Sequence, residues 1–265
     1  MAYKLLALDL DDTLLDAQKC VSNENKQAIA NAKAAGIRVI LASGRAYPGI
    51  TAYNEELEIN DYTIACGGAQ VVDADGRVVF STYVPPIATK QVMRWASLRN
   101  IHYQVYLDDG FHYVAPNQFS EMYETRCSYY GITTPDLLSM ENILASKLLL
   151  IDSDENIEKY RTELKAMFSD LDIKKSQSNF LEVMNPEASK GTALDFIAKK
   201  LGIEQQQVIA AGDSEIDQSM IEYAGLGVAV ANAVPCVLDA ADYVTSANDE
   251  NGIAKVIDKF ILGGK

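Results

Sequence analysis

Three carboxylates and a hydroxyl crowd the stretch Asp9-Leu10-Asp11-Asp12-Thr13, directly after an apolar run from Leu5 to Leu8. Like charges this close repel, and the commonest relief is a hard divalent cation bound through oxygen. The plainer alternative is a strand running into an acidic, solvated turn. A second acidic pair, Asp213 and Asp217, follows another apolar run, Val208 to Ala211. Between the two stand Ser43, after the run Arg38 to Ala42, and Lys190, at the start of a helical pattern. Taken singly, Ser43 reads as a cap, Lys190 as a solvated lysine and Asp217 as a first-turn residue answering a helix dipole. Taken together they would meet at one place, because open α/β sheets bind ligands at the carboxyl edge of their strands.

The chemistry suited to such a place is phosphoryl transfer. A phosphate ester is an anion, so a carboxylate nucleophile needs the charge offset by a metal and a lysine. Mg²⁺ takes octahedral oxygen coordination with few protein carboxylates, which Asp9, Asp213 and one backbone carbonyl can supply. Asp11, two residues beyond Asp9, projects to the same side of an extended strand and can carry the proton of the leaving group.

The elements that must position these residues alternate between strand and helix. Ser22 caps an Ala-rich helix that stops at Gly36, and Arg38 to Ala42 follows as a second buried strand, so the two strands form a parallel β-α-β unit. Tyr62 to Cys66 is a third strand, and Val71 to Tyr83 reads as an antiparallel hairpin. Val84-Pro85-Pro86 marks a linker. From there the pattern becomes mixed helices and hairpins: a helix through Val92 and Trp95, strands His102 to Leu107, Phe111 to Ala115 and Lys147 to Asp152, a helix Asn156 to Phe168, and a strand pair Ile173 to Gln177 with Phe180 to Met184. Asn185-Pro186 reads as the return linker. The α/β rhythm then resumes with a helix Lys190 to Leu201, strands Val208 to Ala211, Leu226 to Val230 and Tyr243 to Val244, and a last helix Ile253 to Leu262. The expected architecture is an α/β parallel-sheet core, residues 1–84 and 185–265, with an α+β module inserted at 85–184.

With 37 acidic against 23 basic residues the net charge is −14, which argues against nucleic acid or an anionic membrane as a partner. Four scattered cysteines form no framework and read as reduced thiols. No signal peptide or membrane span is apparent, so a cytoplasmic setting is expected. Phosphate-loop, G-x-S-x-G and H-E-x-x-H motifs are absent, and both histidines, His102 and His112, fall in the inserted segment.

With these residues set out, the chain resembles the haloacid-dehalogenase superfamily and, within it, the Cof-type phosphatases of small phosphorylated metabolites. Asp9 to Leu15 is similar to the family's first motif, Ala42-Ser43-Gly44-Arg45 to the second, Ser189-Lys190-Gly191-Thr192 to the third, and Gly212-Asp213 through Asp217 to the fourth. The resemblance implies that the α/β core is Rossmannoid and that the α+β module at 85–184 is a cap domain. It implies Asp9 as an aspartyl-phosphate nucleophile and Asp11 as acid and base, with its backbone carbonyl on Mg²⁺. It implies Thr13 orienting Asp11, Ser43 and Lys190 holding phosphoryl oxygens, and Asp213 ligating the metal with Asp217 in support. Gly44, Arg45 and Asn232 are expected on the substrate side. Sugar phosphates are the expected substrates; a phosphomutase or a non-catalytic phosphometabolite-binding protein are the alternatives. Three departures stand out: Asp12 and Gly67 where glycine and asparagine are usual, and Ile216 where an asparagine is common, which leaves the positioning of Lys190 in question.

Overall fold

The computed structural model describes residues 2–127 and 129–263. Its first strand, β1 (Leu5–Leu8), is followed by α1 (Asn23–Ala34), β2 (Arg38–Ala42), α2 (Thr51–Glu56), β3 (Thr63–Ala65), β4 (Gln70–Val72) and β5 (Val78–Ser81). Next come α3 (Pro86–Ser97), β6 (His102–Leu107), β7 (Gly110–Tyr113), α4 (Gln118–Cys127), β8 (Ile132–Thr133), β9 (Lys147–Ile151), α5 (Asp154–Met167), β10 (Asp172–Gln177) and β11 (Phe180–Met184). The chain closes with α6 (Lys190–Leu201), β12 (Val208–Gly212), α7 (Gln218–Tyr223), β13 (Leu226–Ala229), α8 (Pro235–Ala240), β14 (Tyr243–Val244) and α9 (Gly252–Phe260).

Two sheets result. The larger has the order β14-β13-β12-β1-β2-β3-β4-β5, parallel from β14 to β3 and antiparallel at β4 and β5. β1 lies between β12 and β2, with Leu8 level with Ala211 on one side and Leu41 on the other. Its side chains alternate: Leu6 and Leu8 join a cluster with Ile29, Val256 and Ile257, while Leu5 and Ala7 join Ala193, Leu194 and Ile197. A strand buried on both faces by helices is the expected state of a parallel sheet. Asp9 is next in the alternation, on the side of α6, whose first residue is Lys190.

The smaller sheet, β10-β11-β9-β6-β7-β8, comes wholly from residues between the two halves of the larger one. One face packs on α3 and α5 through Val92, Trp95, Ile157 and Leu164. The other, with Tyr106, Phe111, Leu149 and Phe180, is continuous with the apolar cluster of the larger sheet. The two chain crossings between the sheets are tied together: Asn185 Nδ2 donates to the Tyr83 carbonyl at 2.9 Å.

The strands expected from sequence are present with shifts of a residue or two at their ends, and α6 spans the expected residues. Helices α2, α4 and α8 and the short strand β8 were not anticipated. Among the described residues no helix is long and apolar enough to cross a membrane.

Candidate active site

The carboxyl ends of β1, β2 and β12 bring the acidic motifs together. Asp9, still extended and only 4 % exposed, follows β1. Lys190 is wholly buried and donates to Asp9 Oδ1 at 2.6 Å and to Asp217 Oδ1. The other oxygen of Asp217 accepts from the backbone of Asp213 at 3.1 Å, the backbone of Ser214 at 2.9 Å and the Ser214 hydroxyl at 2.8 Å. Asp217 therefore braces both the lysine and the turn that carries Asp213. Gly212 permits this, because a Cβ there would lie 2.4 Å from that of Asp217.

Oxygens of Asp9, Asp213 and Asp217 lie within 4.8 Å of one another. Burial and then the charge of Asp217 push the Asp9 carboxyl up to about 7, with Lys190 acting against them. Burial and then Asp9 and Asp217 raise Asp213 well above the usual carboxylate range. Burial opposes the charge of Lys190, but Asp217 and Asp9 outweigh it and raise its pKa. One ammonium among three carboxylates leaves negative charge uncompensated, and an all-oxygen donor set of this kind suits a hard divalent cation.

Asp11 is held differently. Arg45 grips it as a fork, Nε to Oδ2 and Nη2 to Oδ1, both at 2.8 Å, and Lys19 Nζ is 3.1 Å from Oδ1. Burial pushes its pKa upward, yet Arg45 and then Lys19 and Arg126 hold it well below the usual carboxylate range. Arg45 is anchored in turn by the carbonyls of Gly49 and Cys127, at 3.2 and 3.1 Å.

The family model for haloacid dehalogenase-like hydrolases matches residues 6–257. The chain belongs to that family. This hydrolase is 33 % identical over 276 residues to YxeH of Bacillus subtilis, covering 98 % of this chain and 99 % of that one. It is 32 % identical over 289 residues to the same organism's 5-amino-6-(5-phospho-D-ribitylamino)uracil phosphatase YwtE, again covering 98 % and 99 %. A haloacid dehalogenase-like hydrolase from Bacteroides thetaiotaomicron superposes with a TM-score of 0.86 at 27 % identity, over 97 % of this chain and 99 % of the other. The hydrolase is thus an enzyme of the phosphatase type.

Several side chains of this hydrolase sit differently from the sequence expectation. The Thr13 hydroxyl donates to Asp213 Oδ1 at 2.7 Å; the partner of Asp11 is Arg45. Asn232 does not line the cavity beside Asp9. Its amide donates to the Asp12 carbonyl at 2.7 Å and its Oδ1 accepts from the backbone of Asn248 at 3.0 Å, so it fixes the turn after β1. Ser43 is buried just past β2 and accepts from the backbone of Arg45 at 3.2 Å. Gly44 and Arg45 do line the cavity.

The departures from the family pattern have local explanations. Asp12 adopts φ +63°, a left-handed conformation that favours glycine and that aspartate tolerates better than most residues. Its side chain does not point away: it meets Arg126 Nη2 at 3.0 Å, Gln177 Nε2 at 3.2 Å and Lys19 Nζ at 3.4 Å. At Gly67 an added Cβ would press on the Met184 side chain at 3.1 Å. Ile216 closes an apolar stretch of cavity wall beside Gly44, and Lys190 takes its position from Asp9 and Asp217 instead.

Residues of the inserted segment that reach the cavity were missed from sequence: Tyr123, Arg126, Ser176, Gln177, Phe180 and Glu182. The Phe180 to Met184 strand offered one readable signal, Glu182 within the otherwise apolar Phe-Leu-Glu-Val-Met.

Proposed function

We propose that this hydrolase is a cytoplasmic, Mg²⁺-dependent phosphatase of small phosphorylated metabolites, sugar phosphates first among them, working through an aspartyl-phosphate. In this reading residues 1–84 and 185–265 form the catalytic core and residues 85–184 a cap over it. The observation that carries it is the buried Asp9 carboxylate between Lys190 and the Asp213–Asp217 pair at the head of β1. The relative whose name specifies a phosphoribityl substrate supports a small phosphomonoester.

Asp9 attacks phosphorus, the ester bond to the leaving oxygen breaks, and the phosphoryl group passes to the Asp9 carboxylate. Asp11, once protonated and released from Arg45, gives its proton to the departing alkoxide; the same residue then takes a proton from the water that cleaves phospho-Asp9. Lys190 and Ser43 hold phosphoryl oxygens. Asp9, the Asp11 backbone carbonyl and Asp213 would hold Mg²⁺, with Asp217 in support, and the bound cation would offset negative charge on the carboxylates and the phosphoryl oxygens. The cap excludes bulk water from the first step.

Incubation with p-nitrophenyl phosphate and a sugar-phosphate panel, with Mg²⁺ or with a chelator, tests the reading. Metal-dependent release of phosphate is expected, and Asp9→Asn should abolish it because an amide is not a nucleophile. No release from any of these esters would sink the proposal, and isomer formation without free phosphate would favour a mutase.

A further inference from the structure

The inserted segment carries a buried ion pair whose carboxylate lines the cavity. Lys147 Nζ lies 2.6 Å from Glu182 Oε2, with side chains 1 % and 3 % exposed. The same ammonium donates to the Gly44 carbonyl at 2.6 Å and sits 4.3 Å from the centre of the Tyr106 ring. Glu182 Oε1 accepts from the Ser176 hydroxyl at 2.7 Å. Glu182 Oε2 is shielded from solvent beneath the Lys147 ammonium. Both Glu182 and Ser176 line the cavity that Asp9 enters from below.

A buried pair of this kind adds little net stability over an apolar replacement. Paired with Lys147, Glu182 adds no net charge to the wall, but its oxygens are hydrogen-bond acceptors there. The cations on the wall are already matched: Arg45 by Asp11 and Arg126 by Asp12, with Lys147 close behind it on Glu182. What the insert offers a leaving group is therefore the remaining acceptor lone pairs of Glu182, whose Oε1 already takes one donor from Ser176, while the Gln177 amide beside it is engaged by Asp12.

We infer that Glu182, supported by Ser176, is the specificity-determining acceptor for hydroxyl groups on the leaving alcohol, selecting neutral polyol phosphates over esters that carry a second anionic group. This rests on the phosphatase reading above. Lys147 is a positioning residue: it orients the carboxylate and, through the Gly44 carbonyl, ties it to the loop that carries Ser43. The distance from the recognised hydroxyl to phosphorus is thereby set by the protein.

The test compares kcat/KM for glucose 6-phosphate, phosphoglycerate and p-nitrophenyl phosphate in the full chain and in Glu182→Gln and Ser176→Ala. In Glu182→Gln the ratio of glucose 6-phosphate to p-nitrophenyl phosphate should fall at least about tenfold, mainly through KM, while the ratio of phosphoglycerate to p-nitrophenyl phosphate rises. Ser176→Ala should lower the first ratio by roughly threefold. Equal losses on all three esters, or an unmoved first ratio, overturn the inference. Should Glu182→Gln lack a folded far-ultraviolet dichroism spectrum, the Ser176→Ala ratio decides alone, and no change in it is a refutation. If the unaltered chain releases no phosphate from any ester, the phosphatase reading and this inference fall together. If it hydrolyses them but the ratios stay fixed in the variants, only the inference falls.

Discussion

Thr13 Oγ1 donates a 2.7 Å hydrogen bond to Asp213 Oδ1, joining residues 200 positions apart. The bond spans the head of β1 and the head of β12, which are adjacent parallel strands. It gives a donor to a carboxylate crowded by Asp9 and Asp217, and so acts against the rise in its pKa.

Thr13→Val keeps the shape of the side chain and removes that donor. Partners of this kind orient a metal-binding carboxylate, and their loss costs roughly 10- to 100-fold in metal affinity. Titration calorimetry with Mg²⁺ should record a drop of that size with the fold retained. An affinity equal to that of the parent would show that the bond does not prepare the site.

Asp9→Asn should end turnover and yet stabilise the metal-free protein at alkaline pH. The Asp9 carboxyl is raised from 3.8 to about 7 by burial and by Asp217. The native state therefore binds more protons than the unfolded chain between those values, and stability declines as pH rises through them. An asparagine escapes that decline. Scanning calorimetry in chelator should find the variant melting above the parent at about pH 8, with the gap narrowing as pH falls from about 7 and closing only near the unfolded value of 3.8.

Removing one partner of the Lys147–Glu182 pair leaves a buried charge alone. Lys147→Met should cost about 3–5 kcal/mol, and adding Glu182→Leu should recover most of it. Urea unfolding of the single and double variants measures both. A double variant no more stable than Lys147→Met would mean that the loss comes from packing around Tyr106.

His102 supplies an acid-side dependence. It is buried near Tyr113 and Phe119, and that burial pushes its pKa from 6.5 down to about 4. Its contribution is fully present above pH 6.5 and is lost as pH falls toward 4, where the unfolded chain takes a proton that the native state refuses. Over that window the loss approaches about 3 kcal/mol. His102→Gln should flatten this part of the stability profile in urea titrations; an unchanged slope assigns it to other groups.

The residues legible in the sequence were those at the ends of strongly apolar strands. Asp9 and Asp213 follow runs that can only be buried strands, and Lys190 opens a helix with a clear apolar stripe and a Ser189 cap. Helix α4 escaped notice because it buries only Ser120, Tyr123 and Cys127, too little for a visible stripe; Arg126 escaped with it. The partners of Thr13, Asp12 and Asn232 were illegible for another reason. Each is chosen by which loops the sheet order sets side by side, and two of those contacts span 200 and 220 positions. Type and spacing identified the carboxylates, while tertiary packing decided what each one touches.

The staple between Asn185 and the Tyr83 carbonyl has a geometric consequence. The two lengths of chain that join the sheets are held side by side there, so the inserted segment leaves and rejoins the larger sheet's half through a single narrow neck. Lys190 lies five residues beyond Asn185 in sequence, so the neck ends one short loop from the buried ammonium that Asp9 and Asp217 hold.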